Sequence, residues 1–482
     1  MVSNSKSKFL ALVVCFCSPL AVQNVHSSGF ALSEQSVSLE GMGVSGVAAA
    51  DDVGVAFFNP AAVSFLPKSK QREIVVGGQY VILDISFHDL GSKQPSFPVY
   101  FPDSVKDGSS RTSAAIPSVS LSIPLSDRYG LIGGFFLGPP FGLATDYGST
   151  WMGRYRATSS KVVSLVFNPF LSIRPTNSLS IGFGLNALYF QSELSQIVNL
   201  SEAIGSSLSA RVGRSLATLC ATPLPSQFNT LQPYVDLVCS ERGSARSSFS
   251  GSSFALGWNA GAMYQPSNDW RFGLSYRHGY SLRVNGNINI DNFDVDFYVF
   301  KWLSPSVGPT SLKGRAGYSY VDLPSVVDFS IFHKFSDSYD IALDIRHFDW
   351  LDTKKMSMND GAGEVLSVKV NARSTWSLNM GGQYHHSDKL TLRGGFVLAQ
   401  GFSSQDKRTL LPRLPDSNRF GFSGGVSYNV SPDSSLAASV LYIMSTAPSK
   451  IFADDNEKSL GVLRGSFDSH AWVLGVQYVR SF

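Results

Sequence analysis

The chain has 482 residues, 16% of them charged and 12% aromatic, with a formal net charge of +3. So small an excess, with no basic cluster, excludes nucleic acid as a partner. A mean hydropathy of +0.04 and the lack of any uninterrupted apolar run of about eighteen residues exclude membrane-spanning helices, while low charge and many aromatics lean toward a membrane setting.

The N-terminus reads as a secretion signal. Lys6 and Lys8 precede an apolar core, Phe9 to Cys17, that is too short to cross a bilayer. Val25-His26-Ser27 offers a cleavage site, so residues 1–27 are expected to be removed and the mature chain to start near Ser28. Cys15 and Cys17 leave with the signal.

Residues 28–70 carry dense Gly and Ala, too few large side chains for a core of their own, and the sequence Asn59-Pro60-Ala61, which favours a fixed turn. Composition leaves two readings open here: an extension outside the barrel, or a plug folded inside it.

From residue 71 onward, period-two alternation bounded by turn residues marks fourteen candidate strands: 73–87, 113–125, 128–138, 161–174, 178–190, 252–266, 269–284, 325–336, 338–350, 374–385, 388–400, 418–430, 433–445 and 470–482. Most have the length a tilted membrane strand needs, well beyond the five or six residues usual in soluble sheets. Six tight turns, at 126–127, 175–177, 267–268, 336–338, 387–388 and 431–433, alternate with seven long connections, at 88–112, 139–160, 191–251, 285–324, 351–373, 401–417 and 446–469. That asymmetry predicts an all-β protein, a transmembrane antiparallel β-barrel of about 14 strands in the bacterial outer membrane. Soluble sandwiches and propellers do not need it.

Within that frame several residues stand out. Gly133-Gly134 and Gly138-Pro139-Pro140 lie in and just after the third strand, where glycine permits a bulge and proline removes a ladder donor, so the strand either kinks away from a neighbour or ends at Gly138. Cys220 and Cys239 sit in a polar loop with no metal-ligand spacing, and an oxidising compartment favours a disulfide between them. The spacing of Leu194, Ile197, Val198, Leu200, Ile204 and Leu208 suits an amphipathic helix, either packed on its own loop or exposed to catch an apolar ligand. His385-His386-Ser387-Asp388 falls at a tight turn and singles out no catalytic pair, Asp291, Asp294 and Asp296 lack the glycine and terminal glutamate of a calcium loop, and Gly182-Phe183-Gly184 opens no helix. No enzyme activity, metal or cofactor is expected. In the last strand Trp472, Leu474, Val476 and Tyr478 share an outward face, and the terminal aromatic Phe482 is the expected handle for the barrel assembly machinery.

Several spaced blocks carry a family likeness. Ser28-Gly29-Phe30, Ala48-Ala49-Ala50-Asp51-Asp52 and Asn59-Pro60-Ala61 closely resemble the mature start of FadL-type outer-membrane transporters, which carry long-chain fatty acids or aromatic hydrocarbons. Phe141 to Tyr147 with Trp151 to Tyr155 looks like the family's loop motif after the third strand. Gly257 to Gly261 with Tyr276-Arg277, and Leu414-Pro415-Asp416 with Arg419, Ser423-Gly424-Gly425 and Tyr428, look like its central hairpin and late strand pair. The likeness runs from about Ser28 to Phe482, leaving 191–251 and 285–324 poorly matched.

This resemblance implies fourteen strands, an N-terminal hatch of residues 28–70 in which Phe30, Asn59, Pro60 and Ala61 take part, a barrel over 71–482, and lateral exit beside a kinked third strand. It implies passive import of hydrophobic molecules, long-chain fatty acids first and aromatic hydrocarbons as the alternative. A general porin or a surface adhesin remains a lesser reading. Lys354 and Lys355 stand where the family often carries a basic pocket residue, and Arg373 begins the next strand beside them. All three also read as solvated loop-edge charges. Arg154 and Arg156 flank Tyr155 and read as cations either for the substrate or for anionic outer-leaflet lipid and lipopolysaccharide. Phe190 to Leu194 lacks the basic residue that the family's best-known member carries there, which puts a carboxylate clamp and fatty acid specificity in doubt.

Overall fold

The structure, a computed structural model, describes residues 29–93, 107–128, 130–199, 201–239, 244–291, 314–350, 355–359, 364–369, 372–402, 410–454 and 460–482. The expected signal lies outside them.

Fourteen antiparallel strands close on themselves. They are β1 (Glu73–Asp89), β2 (Gly108–Ser126), β3 (Leu131–Gly138, continued by Gly142–Asp146), β4 (Ser159–Thr176), β5 (Leu179–Asn199), β6 (Ser244–Tyr264), β7 (Trp270–Arg277 and Tyr280–Asp291) and β8 (Arg315–Leu323 and Ser325–Lys334). Then come β9 (Tyr339–Asp349 and Lys355–Asn359), β10 (Glu364–Lys369 and Thr375–His385), β11 (Leu390–Ala399), β12 (Arg419–Ser431), β13 (Ser434–Ser445 and Ser449–Ala453) and β14 (Leu463–Ser481). The ring shuts where β1 pairs with β14, from Glu73↔Ser481 to Asp89↔Gly465. Each expected strand overlaps one observed strand, in order.

Alternation builds the wall. On β4, Val163, Leu165, Phe167, Leu171 and Ile173 are exposed outward, while Ser164, Asn168 and Ser172 are buried inward. The same division separates Trp472, Leu474, Val476 and Tyr478 from Gln477 on β14. An apolar outer band over a polar interior is what a barrel needs in lipid.

The strands run further at the loop end than alternation alone suggests. β5 reaches Asn199 and β6 starts at Ser244, so much of the expected 191–251 loop is ladder. Beyond the apolar band the sequence turns to Gln, Glu and Ser on both faces, and pairing continues without a period-two signal to announce it. This corrects the expected amphipathic helix: residues 194–199 are strand, with Leu194 and Ile197 buried, and α-helix begins only at Ser201. Cys220 and Cys239 are bonded and close a small helical cap with Leu208, Leu219, Leu231 and Val235 buried in it.

Residues 29–70 fill the lumen. They form a short helix, α1 (Val37–Glu40), and 3₁₀ turns at Val47–Ala49, Val53–Phe57, Pro60–Phe65 and Lys68–Lys70. Small side chains let this segment lie against the wall. Asn59 caps the turn after it, accepting from Ala61 N at 3.0 Å, and donates Nδ2 to the wall carbonyls of Ala262 (3.3 Å) and Leu274 (3.4 Å). A Cβ on Gly261 would stand 2.1 Å from Asn59 Oδ1, so only glycine admits this contact. Pro60 takes the first helical position, where no amide donor is missed. Asp52 Oδ2 accepts from Ser38 Oγ (2.9 Å) and Gln477 Nε2 (2.8 Å), joining hatch to β14.

Asn59→Ala removes a cap worth about 1 kcal/mol and both wall contacts. The barrel should still run as a folded species on an unheated gel, while single-channel conductance in a planar bilayer rises because the hatch is loosened. Conductance equal to that of the wild type would show that Asn59 does not hold the hatch.

Candidate functional site

The third strand breaks where its prolines lie. The β2–β3 ladder runs from Ser126↔Leu131 to Val119↔Leu137 and stops. The second half of β3 pairs only with β4, Gly142↔Val163 to Asp146↔Ser159. Side-chain bonds still reach across to β2: Thr112 Oγ1 donates to Ala144 O at 2.8 Å, and Asp146 N donates to Ser110 Oγ at 2.7 Å. Residues 113–118 of β2, Pro117 among them, therefore have no ladder partner on that side. Gly133 and Gly134 are not at the break. They lie in the paired half, where a Cβ on Gly134 would stand 2.0 Å from Leu121 O.

The peptide groups released at the kink find other partners. Ala31 bridges Phe141, with Leu32 N donating to Pro140 O (2.9 Å) and Gly142 N to Phe30 O (3.0 Å). Gln35 Nε2 donates to Pro139 O at 2.8 Å, and Ser164 Oγ bonds both Phe141 N (2.9 Å) and Phe141 O (2.7 Å). The start of the hatch is thus a short strand laid on the inward bend.

Behind this patch is a chamber of about 50 Å³. Ala31, Leu32, Phe57, Phe58, Pro140, Phe141, Val326 and Phe348 give it apolar walls, and Ser33, Ser275, Arg277, Asp328 and Arg346 supply polar groups. Phe30, next to the lining residues Ala31 and Leu32, packs its ring 5.3 Å from Trp350 and 6.1 Å from Phe141 of the chamber wall. The space holds a few waters, far less than the roughly 300–1,000 Å³ of a ligand pocket. A bulky ligand must therefore displace the Phe30 segment.

Arg277 donates Nη1 to Asn186 Oδ1 at 3.0 Å and Nη2 to Phe57 O, and lies 4.2 Å over the Phe57 ring. Arg346 donates Nε to Asp328, and Nη2 to Asp344 Oδ2 (3.1 Å) and to Val44 O (2.8 Å). Val47 N and Ala48 N reach Asp344 Oδ2 (3.3 Å) and Ser330 Oγ (2.8 Å). These wall bonds hold a hatch turn in which Val44 (φ 60°) and Ala50 (φ 55°) are left-handed, a conformation that costs about 1–3 kcal/mol each outside glycine.

Among the described residues, none of the expected cations lines the chamber. Lys354 lies outside the described residues, and Lys355 opens the outer segment of β9. Arg373 donates to Gly401 O at 3.3 and 3.4 Å and does not line the chamber. Arg154 is buried in its own loop, donating to Thr150 O (3.4 Å) and Trp151 O (3.3 Å), and Arg156 ties that loop to Ala453 O (3.2 Å) and Gly461 O (3.1 Å). Phe482 N donates to Arg72 O at 3.1 Å, and its ring is 61% exposed. Arg277 and Arg346 were the cations to look for: each is a charge at a strand position, and Asp328 and Asp344 repeat the signal nearby.

At the turn end the hatch faces an open vestibule of about 1420 Å³ lined by Arg174, Arg271, Arg393, Lys70, Asp51 and His385, among others. Arg393 pairs with Asp51 at 3.2 Å. Burial pushes the Asp51 carboxyl up, but Arg393 and Lys70 outweigh it and leave it below the usual range. Glu40 differs. Its carboxylate is fully buried between α1 and the wall, and neither oxygen has a well-aligned partner among the described residues. Burial first, and the Glu34 carboxyl second, push it from its ordinary 4.5 up to about 8, against the pull of Ser439 and Gln79.

The family described as "Outer membrane protein transport protein (OMPP1/FadL/TodX)" matches residues 19–482. A long-chain fatty acid transport protein of Escherichia coli K12 is 23% identical over 99% of this chain and 100% of its own. Outer membrane protein P1 of Haemophilus influenzae is 25% identical over 88% of this chain and 87% of its own. A crystal structure of a Pseudomonas aeruginosa FadL homologue superposes with a TM-score of 0.77 at 20% identity, covering 94% of this chain and 100% of that one. The toluene transporter TodX of P. putida gives 0.59 at 18% identity, covering 89% and 94%.

A carboxyl whose pKa rises on folding binds its proton more tightly in the folded state, so its burial costs more stability as pH climbs from 4.5 toward 8. Hatch amides of the wild type should lose protection from hydrogen exchange across that window, by at most about tenfold per pH unit, after correction for intrinsic rates. Glu40→Gln should flatten the dependence. Equal slopes in the two proteins would place the titration elsewhere.

Proposed function

The chain belongs to the outer-membrane transport proteins of the OMPP1/FadL/TodX family, and on that premise we propose that it imports long-chain fatty acids by surface capture, binding behind Phe30 and sideways release between β2 and β3. Members of this family are transport channels, not enzymes, and the barrel belongs to the outer membrane.

One observation carries the reading: the chamber and the break in the wall share residues. Pro140 and Phe141 line the chamber, and both lie where β3 has left β2. A ligand that pushes Phe30 and Leu32 aside loosens the segment that fills the bend. Its apolar chain then meets uncovered wall instead of water. The vestibule is charged and wet, a poor path for an acyl chain, whereas sideways release goes from one apolar surface to another. The names of the curated relatives favour a fatty acid as cargo.

A second reading rests on chamber size. About 50 Å³ ringed by Phe57, Phe58, Phe141 and Phe348 suits a single aromatic ring after a smaller displacement. Import of monoaromatic hydrocarbons is therefore the alternative cargo for the same route.

Cells lacking their own outer-membrane fatty acid transporter should take up labelled oleate only when this chain is present, with toluene and a small sugar run beside it. Toluene uptake alone would select the alternative, and sugar uptake alone would leave a porin. Pro139→Ala with Pro140→Val should let the β2–β3 ladder extend and cut oleate uptake about tenfold, while the purified protein still binds oleate. Undiminished uptake in that variant would sink sideways release.

A further inference from the structure

The chamber wall contains one guanidinium nitrogen and one carboxylate oxygen that no described residue satisfies. Arg346 is 2% exposed, and although Nε and Nη2 are engaged, Nη1 has no partner. Asp328, which receives Arg346 Nε through Oδ2, leaves Oδ1 without a donor. Both residues line the chamber, and the two open atoms are sealed from its present space, so a ligand reaches them as it widens the chamber. Buried polar atoms rarely stay unpaired, and such a pair is a place for a ligand atom.

The charges around it decide what kind of ligand. Arg346 meets two carboxylates, Asp328 and Asp344, and Ser330 Oγ donates to the second at 2.5 Å. Arg277 is the other cation of the wall, with two of its nitrogens already given to Asn186 and Phe57. Two guanidiniums against Asp328 and Asp344, with the Glu34 carboxyl also acting on Arg346 and itself facing Arg419, leave no net positive charge to repay the desolvation of an anion. A bare carboxylate would also have no proton to give Asp328 Oδ1 and would repel it.

We propose that the chamber takes its ligand in uncharged form, through a head group that accepts from Arg346 Nη1 and donates to Asp328 Oδ1: a protonated carboxyl, or a hydroxyl. This rests on the fatty-acid reading of the same chamber and adds the state in which the acid is held. A fatty acid arriving as its anion takes one proton from water as it enters, so one proton is bound for each ligand bound. An aliphatic alcohol enters without any proton uptake, and an ester offers an acceptor but no donor.

The test is equilibrium binding of oleic acid, oleyl alcohol and methyl oleate to the purified full-length protein at pH 6, 7 and 8, with toluene as a further ligand. Oleate affinity should fall toward tenfold per pH unit above the acid's own pKa, while that of oleyl alcohol stays level. Methyl oleate should bind at least tenfold more weakly than the alcohol. Asp328→Asn, which can turn an amide N–H toward the ligand, should narrow that gap to less than about threefold. Oleate affinity independent of pH, or methyl oleate binding as tightly as the alcohol, would overturn the uncharged head group and leave fatty-acid import standing. Toluene binding with no acyl ligand bound would overturn both. The wild-type ligand series decides the matter even where Asp328→Asn fails to fold.

Discussion

Inside a bilayer each peptide group must find its partner within the protein, and this requirement governs the rest of the molecule. It is met around the ring by inter-strand ladders, closed by β1 against β14 and interrupted between β6 and β7, where residues 253–258 have no ladder partner on β7. Where the wall gives way between β2 and β3, substitutes gather. Ala31 and Leu32 supply backbone, while Gln35 and Ser164 supply side chains. A kink that left Pro139 O, Pro140 O and the Phe141 peptide unpaired would be costly in lipid. The hatch start does structural work at the bend, and so it cannot move without exposing those groups again.

The same constraint shapes the lumen. A fourteen-stranded barrel is too wide for its own inward side chains to fill, so the interior needs a plug. Ser, Asn and Gln on the inner faces of β4, β5 and β14 would be stranded among apolar atoms unless the plug were polar along its backbone. Short 3₁₀ turns suit this, because their frayed ends leave amides and carbonyls for the wall to bind. Val47 N, Ala48 N and Val44 O are used in this way by Asp344, Ser330 and Arg346.

How far the sequence speaks for itself follows from this. The strands were legible because lipid and lumen impose opposite demands on alternate residues, as Leu165 and Ser164 show. Outside the apolar band that opposition vanishes, so the ladder from Gln191 to Asn199 leaves no mark in the pattern. Asn59-Pro60-Ala61 was legible as a turn because cap and proline are local devices. The chamber was not. Its residues come from the hatch, the β3 kink, β7, β8 and β9, and nothing local sets Arg277 against Phe57. Basic residues near loop edges drew attention instead, and Arg154 proved to serve its own loop's carbonyls. The better signal was charge inside a strand. Asp328, Asp344 and Arg346 hold buried positions where alternation calls for small or polar neutral residues, and a buried charge survives only with a partner.

Arg346 then ties the two halves of the molecule together. One side of its guanidinium binds the hatch turn at Val44 O, and the unsatisfied Nη1 belongs to a residue of the chamber wall. Phe58, 4.6 Å beneath it, is a hatch residue that lines the chamber too. The left-handed backbone at Val44 persists because the wall holds it. A ligand that accepts from Nη1 leaves the Nη2 bond to Val44 O in place, so occupancy of the chamber and the set of the hatch share one side chain. Coupling of this kind needs no long path through the barrel, because a single planar cation has donors enough for both tasks.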